Sequence, residues 1–391
     1  MGPFAIVRVA LAIVSLAILA LAALLIWQWI DGEWVWGADG VARQVRHDWK
    51  IWTGGALLAW SFLGRFVVVP LLASPDSDPL RPERSGGRQI EDRGASLYVE
   101  AHGPEGAPPI VMTHGWSMDS TIWGYAKRDL GSRFKLILWD LPGLGKSKRG
   151  HAKVGLPDFA EHLRTLLAIT GRPAVLVGHS IGGMTIQTLA RDHPELFGRE
   201  VAGVVLLNTS YTNPLKTIIL PRLMQALRWP VLEPMMRLTI LLLPLSWLSS
   251  WQSYLSGSTH IAARFGFGRY VTRSQLSHVA LLMTRNSPAV QSRGDLAMFR
   301  WDSGMPFDTL DVPVLVVGGD CDIVTKEEAG RRIAEGARNG RYELVEGVNH
   351  MGLLERADTY NQLIADFAAS VQPAERASQV STAPAVVRPM A

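Results

Sequence analysis

Cysteine is nearly missing: Cys321 is the only one in 391 residues. A lone thiol excludes an intramolecular disulfide framework and a cysteine-based zinc site. Charge is sparse as well, at 19% of residues, where an ordinary soluble chain carries about 25%. The net charge of +4 includes no dense basic run, so nucleic acid is not an expected partner. No internal repeat and no collagen-like period is present. What the chain does have is length and apolar residues, 48% of the total. It exceeds one ordinary domain of about 100–200 residues and can build a large α/β core while leaving part of itself for lipid.

Residues 1–73 read as a membrane anchor. Val9 to Trp27 is Val, Leu, Ile and Ala broken only by Ser15. As a helix it would be about 28 Å long, close to the roughly 30 Å hydrocarbon layer. A cleaved signal peptide is the rival, with Arg8 as its charged end. The run is longer than the usual 7–15 residues, however, and bulky Leu25-Ile26-Trp27 stands where small residues would be cut. A second apolar stretch, Ile51 to Ala73, holds Arg65 about 21 Å along a helix from Ile51, near enough to snorkel to an interface. Two transmembrane helices, 9–30 and 51–72, are expected, with Trp27, Trp29, Trp34, Trp36, Trp49 and Trp52 at one interface. A buried helix packing on the soluble domain is the alternative for the second. Positive charge leans toward a cell-membrane protein whose C-terminal domain is cytoplasmic.

After a Pro-, Ser- and Asp-rich linker at 74–87, short apolar runs alternate with helical segments. Seven strands are expected: Leu97–Ala101, Ile110–Thr113, Leu136–Trp139, Val175–Gly178, Val204–Leu207, Val314–Val317 and Tyr342–Val345. Most lack polar alternation, as in a parallel sheet buried on both faces. The pattern predicts a doubly wound α/β core over 88–213 and 308–371. Residues 214–307 break the alternation and read as a greasy helical insertion, where Pro234, Arg237 and Pro244 argue against a further span. The tail 372–391 is expected to be disordered.

Four segments carry chemistry. Val175-Leu-Val-Gly-His-Ser180-Ile-Gly-Gly183 is a buried strand running through Gly-x-Ser-x-Gly into a helix. Such a turn projects a serine hydroxyl clear of the backbone, at a helix N-terminus that favours developing negative charge. Ile110-Val-Met-Thr-His-Gly-Trp116 ends a strand where an oxyanion donor is needed. The amides of Trp116 and Ile181 are the candidates. In Gly319-Asp320-Cys-Asp322 the outer acid, Asp322, is preferred over Asp320 as the partner of a histidine. Two such acids could also hold a cation, but no further carboxylate cluster supports it. Last, His350 lies in Gly347-Val-Asn-His-Met-Gly after the final strand, and imidazole can take and return a proton near neutral pH. His114 and His179 read as scaffolding.

The order Ser180, Asp322, His350 and these motifs resemble the α/β-hydrolase family over about residues 88–371. The stretch Asp140-Leu-Pro-Gly-Leu-Gly-Lys-Ser147 is similar to that family's Asp-x-x-Gly-x-Gly-x-Ser loop. Its Gly-Lys-Ser is no phosphate loop, since Asp140 stands where the first glycine would be. The resemblance implies an eight-stranded, mostly parallel sheet with 214–307 as the cap. It makes Ser180 the nucleophile, His350 the base and acid, Asp322 the orienting acid, and the Trp116 and Ile181 amides the oxyanion hole. No metal and no cofactor is implied. The expected reaction is hydrolysis of a lipophilic ester, with the bilayer as partner, and membrane-anchored monoacylglycerol lipases of this family are a similar arrangement. Acyl transfer, amide or carbon–carbon cleavage, and a non-catalytic binding role are the alternatives.

Overall fold

The computed structural model describes residues 2–372; the tail expected to be disordered lies, from residue 373 on, outside the described residues. Eight strands form one sheet in the order β10-β9-β8-β7-β5-β6-β4-β3. They are β3 (Arg88–Asp92), β4 (Ala95–His102), β5 (Pro109–Thr113), β6 (Lys135–Trp139), β7 (Ala174–His179), β8 (Val201–Leu207), β9 (Pro313–Gly319) and β10 (Asn339–Val345). Only β4 runs against its neighbours; β5 through β10 are parallel. β5, β7 and β9 are buried almost end to end, which is why they read as unbroken apolar runs. Helices α4 (Gly124–Leu130), α5 (Leu156–Leu167), α6 (Ile181–Asp192), α13 (Glu327–Glu335), α14 (Gly352–Glu355) and α15 (Ala357–Val371) cover its faces. Two apolar layers result, one on each side of the sheet.

The cap holds α7 (Pro221–Leu227), α8 (Glu233–Leu241), α9 (Leu243–Leu255), α10 (Ser258–Arg264), α11 (Arg273–Arg285) and α12 (Pro288–Met298). Residues 221–241 and 243–255 meet at 102°, so the greasiest part of the cap is an elbow. The linker is docked rather than loose. Arg84 bridges Asp119 at 2.9 Å and Asp140 at 3.0 Å, and Asp76 accepts from the Ser274 amide.

At the N-terminus, α1 (Gly2–Asp31) contains a span, Ile6–Asp31, long and apolar enough to cross a membrane. A small hairpin, β1 (Glu33–Trp36) and β2 (Ala42–Val45), leads into α2 (Asp48–Leu63) and α3 (Arg65–Leu72). The second span expected at 51–72 falls on this pair, which is apolar enough when taken together and is bent by 59°. Gly64 sits in the bend, where a Cβ would overlap the Ser256 carbonyl of the cap. With 16 and 8 residues, the two pieces are about 24 and 12 Å long, each short of a bilayer crossing. Arg65 stacks on Phe66 and Tyr254, with its guanidinium 4.8 and 5.0 Å from the ring centres. α1 also docks on the cap: Ser15 and Ser256 share a hydrogen bond of 2.6 Å, and Gln252 donates to the Ser15 carbonyl.

Candidate active site

The β7–α6 turn holds Ser180 at φ 54° and ψ −116°, a conformation a side chain rarely adopts. Gly182 makes the turn possible, because a Cβ there would overlap the Thr113 carbonyl of β5. The Ser180 amide donates to the Leu207 carbonyl at 3.0 Å, and Thr209 Oγ1 donates to the Ser180 carbonyl at 2.6 Å. The strained residue is thus held from two sides.

The three expected side chains meet. Ser180 Oγ lies 2.9 Å from His350 Nε2, and His350 Nδ1 lies 3.1 Å from Asp322 Oδ2. Asp322 is buried, and its Oδ1 accepts from the Val324 and Thr325 amides at 2.8 Å each. Its Oδ2 also accepts from Thr325 Oγ1 at 2.8 Å and Asn208 Nδ2 at 3.0 Å. Burial works to raise this carboxyl, but the His350 ring and these donors outweigh it and hold it below the ordinary range. A carboxylate so fixed requires His350 to carry its proton on Nδ1, which leaves Nε2 free to accept from Ser180. Asp320 has a different task, accepting from the Gly347 amide at 2.7 Å at the base of the histidine loop.

Asn208 and Thr325, unmarked by the sequence reading, complete the acid's shell. Asn208 follows β8 at φ 44°, a left-handed position that asparagine tolerates, and Tyr360 Oη donates to its Oδ1 at 2.9 Å. A strand end followed by Asn-Thr-Ser was the signal available.

His114 and His179 are structural. The Leu141 amide donates to His114 Nε2 at 3.0 Å, so Nδ1 carries the proton and donates to the Gly115 carbonyl at 2.8 Å. His179 Nε2 donates to the His350 carbonyl at 2.9 Å, and burial drops its pKa to about 3. Both rings are neutral braces for the loops around Ser180.

The amides of Trp116 and Ile181 have no acceptor among the described residues. Trp116 is locked in place: its Nε1 donates to the Gln291 carbonyl at 3.1 Å, and Ser117 Oγ donates to Gln291 Oε1 at 2.8 Å. Asn286 Nδ2 donates to the Ser117 carbonyl at 2.9 Å. Gln291 Oε1 also accepts from Arg8 at 2.8 Å, and Arg8 reaches the Met283 carbonyl at 3.0 Å. An arginine read from the sequence as a terminal charge is therefore tied, through the cap, to the loop beside Ser180. Residues 8 and 291 are too far apart in the chain for any pattern to reveal the link.

Ser180 and His350 open into a cavity of 380 Å³, lined largely by Leu, Met, Ala, Val and Ile side chains of α1 and the cap. Among the described residues no cluster of three His, Cys, Asp or Glu could hold a metal ion. Asp295 is the odd polar group in the lining, its Oδ1 unpartnered. Burial pushes its carboxyl up to about 6, against the pull of the Arg8 charge. A raised carboxyl favours folding below the unfolded pKa, and that contribution is lost as pH rises through the folded value. Asp295→Asn should therefore raise the melting temperature at pH 8 and change it little at pH 3, below the unfolded value of 3.8. The gain should be on the order of 1–2 kcal/mol, the isolated Arg8 charge removing part of what the shift implies. Equal melting curves of the two proteins at pH 8 would contradict this.

The α/β-hydrolase fold model matches residues 108–357. The sheet order, the elbow after β7 and this match agree: the chain belongs to the α/β-hydrolase family and is a hydrolase. A pimeloyl-[acyl-carrier protein] methyl ester esterase of Sodalis glossinidius is 26% identical over 280 residues, covering 70% of this chain and 97% of that protein. The Aeromonas hydrophila protein of the same name is 37% identical over 101 residues, or 26% of this chain and 38% of its own length. Among solved structures, an esterase from Exiguobacterium antarcticum superposes with a TM-score of 0.59 at 18% identity, covering 72% of this chain and 99% of that one.

Proposed function

We propose that the chain is a membrane-anchored serine hydrolase that cleaves a lipophilic carboxylic ester through an acyl-enzyme. What supports the reading is the continuous relay from Asp322 through His350 to Ser180 Oγ at the inner end of an apolar cavity. The names of both curated relatives, methyl ester esterases, agree with ester chemistry. α1, with its apolar span, supplies the anchor.

In this mechanism His350 Nε2 takes the Ser180 proton as Oγ attacks the ester carbonyl. The carbonyl electrons move to oxygen, and that oxyanion accepts from the Trp116 and Ile181 amides, each such donor worth about 3–4 kcal/mol of barrier. Asp322 offsets the charge on the imidazolium. His350 then returns the proton to the departing alkoxide, which leaves as alcohol. Water repeats the sequence on the acyl-enzyme, releasing the acid and freeing Ser180.

The test is hydrolysis of p-nitrophenyl esters from acetate to palmitate by the full chain in detergent, alongside fluorophosphonate labelling read by peptide mass. Turnover that rises with chain length, with the adduct on the Ser180 peptide, is expected. An acetate optimum would remove the lipophilic substrate from the proposal. Labelling at another residue, or none, would remove the nucleophile.

A further inference from the structure

The rim of the catalytic cavity differs in kind from its interior. Of all its lining residues only four are more than one-third exposed: Ile13 at 62%, Leu238 at 53%, Leu242 at 40% and Leu245 at 53%. None is polar. They come from α1 (Ile13), α8 (Leu238), the α8–α9 junction (Leu242) and α9 (Leu245), so the N-terminal helix and the cap elbow both contribute to the rim. The polar lining groups are less exposed than these four, and several are occupied: Arg8 and Ser117 both donate to Gln291, and Ser250 accepts from Arg8. A mouth serving a water-dissolved substrate has no use for a ring of bare Leu and Ile, each costing roughly 1.5–3 kcal/mol to keep in water when fully exposed.

Depth points the same way. Ile13 lies seven residues beyond Ile6, where the apolar span begins, so the rim sits about 10 Å inside the span along the helix. The surface around it continues apolar, with Val14 on α1 and Leu241 and Leu248 on the elbow all strongly exposed. A patch of this kind marks contact with an apolar phase.

We propose that α1 is part of the active site: together with the α8–α9 elbow it forms an acyl-chain subsite whose mouth opens into the hydrocarbon layer. The ligand is a single long acyl chain of a membrane-dissolved ester, which slides sideways from the bilayer until its carbonyl reaches Ser180. A cavity of 380 Å³ stands near the small end of the range for ligand pockets, about 300–1,000 Å³, which suits one chain rather than two. This inference rests on the esterase reading.

The experiment uses the full chain reconstituted in phosphatidylcholine vesicles. Two substrates are compared, p-nitrophenyl palmitate dissolved in the bilayer and p-nitrophenyl butyrate added from water. Ile13→Trp on α1 and Leu242→Trp on the elbow enlarge two of the exposed lining residues while keeping the surface apolar. Each is expected to lower the palmitate-to-butyrate ratio of kcat/KM by about tenfold. Leu223→Trp, on exposed apolar surface away from the cavity, should leave that ratio where it is in the unaltered protein. A ratio unchanged in both rim variants overturns the subsite, and so does a fall of equal size in the Leu223 variant. If the unaltered protein turns over neither ester and takes up no fluorophosphonate, the esterase reading fails first, and this inference falls with it.

Discussion

Replacing Ser180 by alanine is expected to lower kcat on a p-nitrophenyl ester by about 10⁵-fold or more while the protein stays folded. The size follows from the hydroxyl being the only group that can carry the acyl intermediate. Without it His350 has no proton to take, and only the oxyanion donors and substrate binding remain to assist water. Folding should survive, since alanine keeps the Cβ and the change removes a single hydrogen bond, that to His350. The backbone supplies a second, independent reading. At φ 54° and ψ −116° the elbow stores strain, typically about 1–3 kcal/mol at such sites. Glycine carries none of that penalty. Ser180→Gly should therefore be as inactive as the alanine variant and melt at a higher temperature than it. Stopped assays and thermal melts on the three proteins check both statements. An alanine variant with more than about 1% of the original kcat would sink the nucleophile assignment.

The parts of this molecule that read well from sequence are those in which one short segment does one job. Val175 to Gly183 contains its own strand, turn and helix, so Ser180 was legible without a fold. Asp322 is distinguished from Asp320 in the sequence by its greater distance from the strand end. The distinction matters: one carboxylate holds His350, the other the Gly347 amide. Elements whose residues face water read poorly. β3, Arg-Gln-Ile-Glu-Asp, lies on the sheet edge and has no apolar run to reveal it. The β1–β2 hairpin looked like a polar loop between two spans.

The N-terminal helices show a different limit. Their apolar character is local and plain, but Gly64 in the bend packs against the Ser256 carbonyl, nearly two hundred residues later. The same holds for Arg8, whose partners Ser250, Met283 and Gln291 are all in the cap. A charged residue inside an apolar span is costly unless something receives it. Here the receiver is the scaffold of the Trp116 loop. The N-terminal helices and the hydrolase domain are for that reason better regarded as one packed unit than as a leader joined to an enzyme.

Asp322→Asn is expected to cost about 10⁴-fold in kcat, for a reason visible in the bonds around the carboxylate. Oδ1 accepts from two backbone amides that cannot turn away, so an asparagine must keep its carbonyl oxygen there. Its NH₂ then replaces Oδ2 and faces His350 Nδ1, Thr325 Oγ1 and Asn208 Nδ2. Asn208 cannot flip to receive it without losing two bonds, one accepted from Tyr360 Oη and one donated to the Asn349 carbonyl. Thr325 Oγ1 can turn and accept one hydrogen, but the other points at His350 Nδ1, which must accept it and give up its own proton. The ring is then protonated on Nε2, the tautomer that donates to Ser180 instead of accepting from it. The variant should also lose the acid-side decline in stability that a depressed carboxyl imposes, since that contribution is present above the unfolded pKa and vanishes as pH falls through the folded one. Asp320→Asn keeps an oxygen that can accept from the Gly347 amide and should cost less than about tenfold. Side-by-side kcat values for the two variants at pH 8 decide the matter. If Asp320→Asn is the more damaging, the orienting acid has been misassigned.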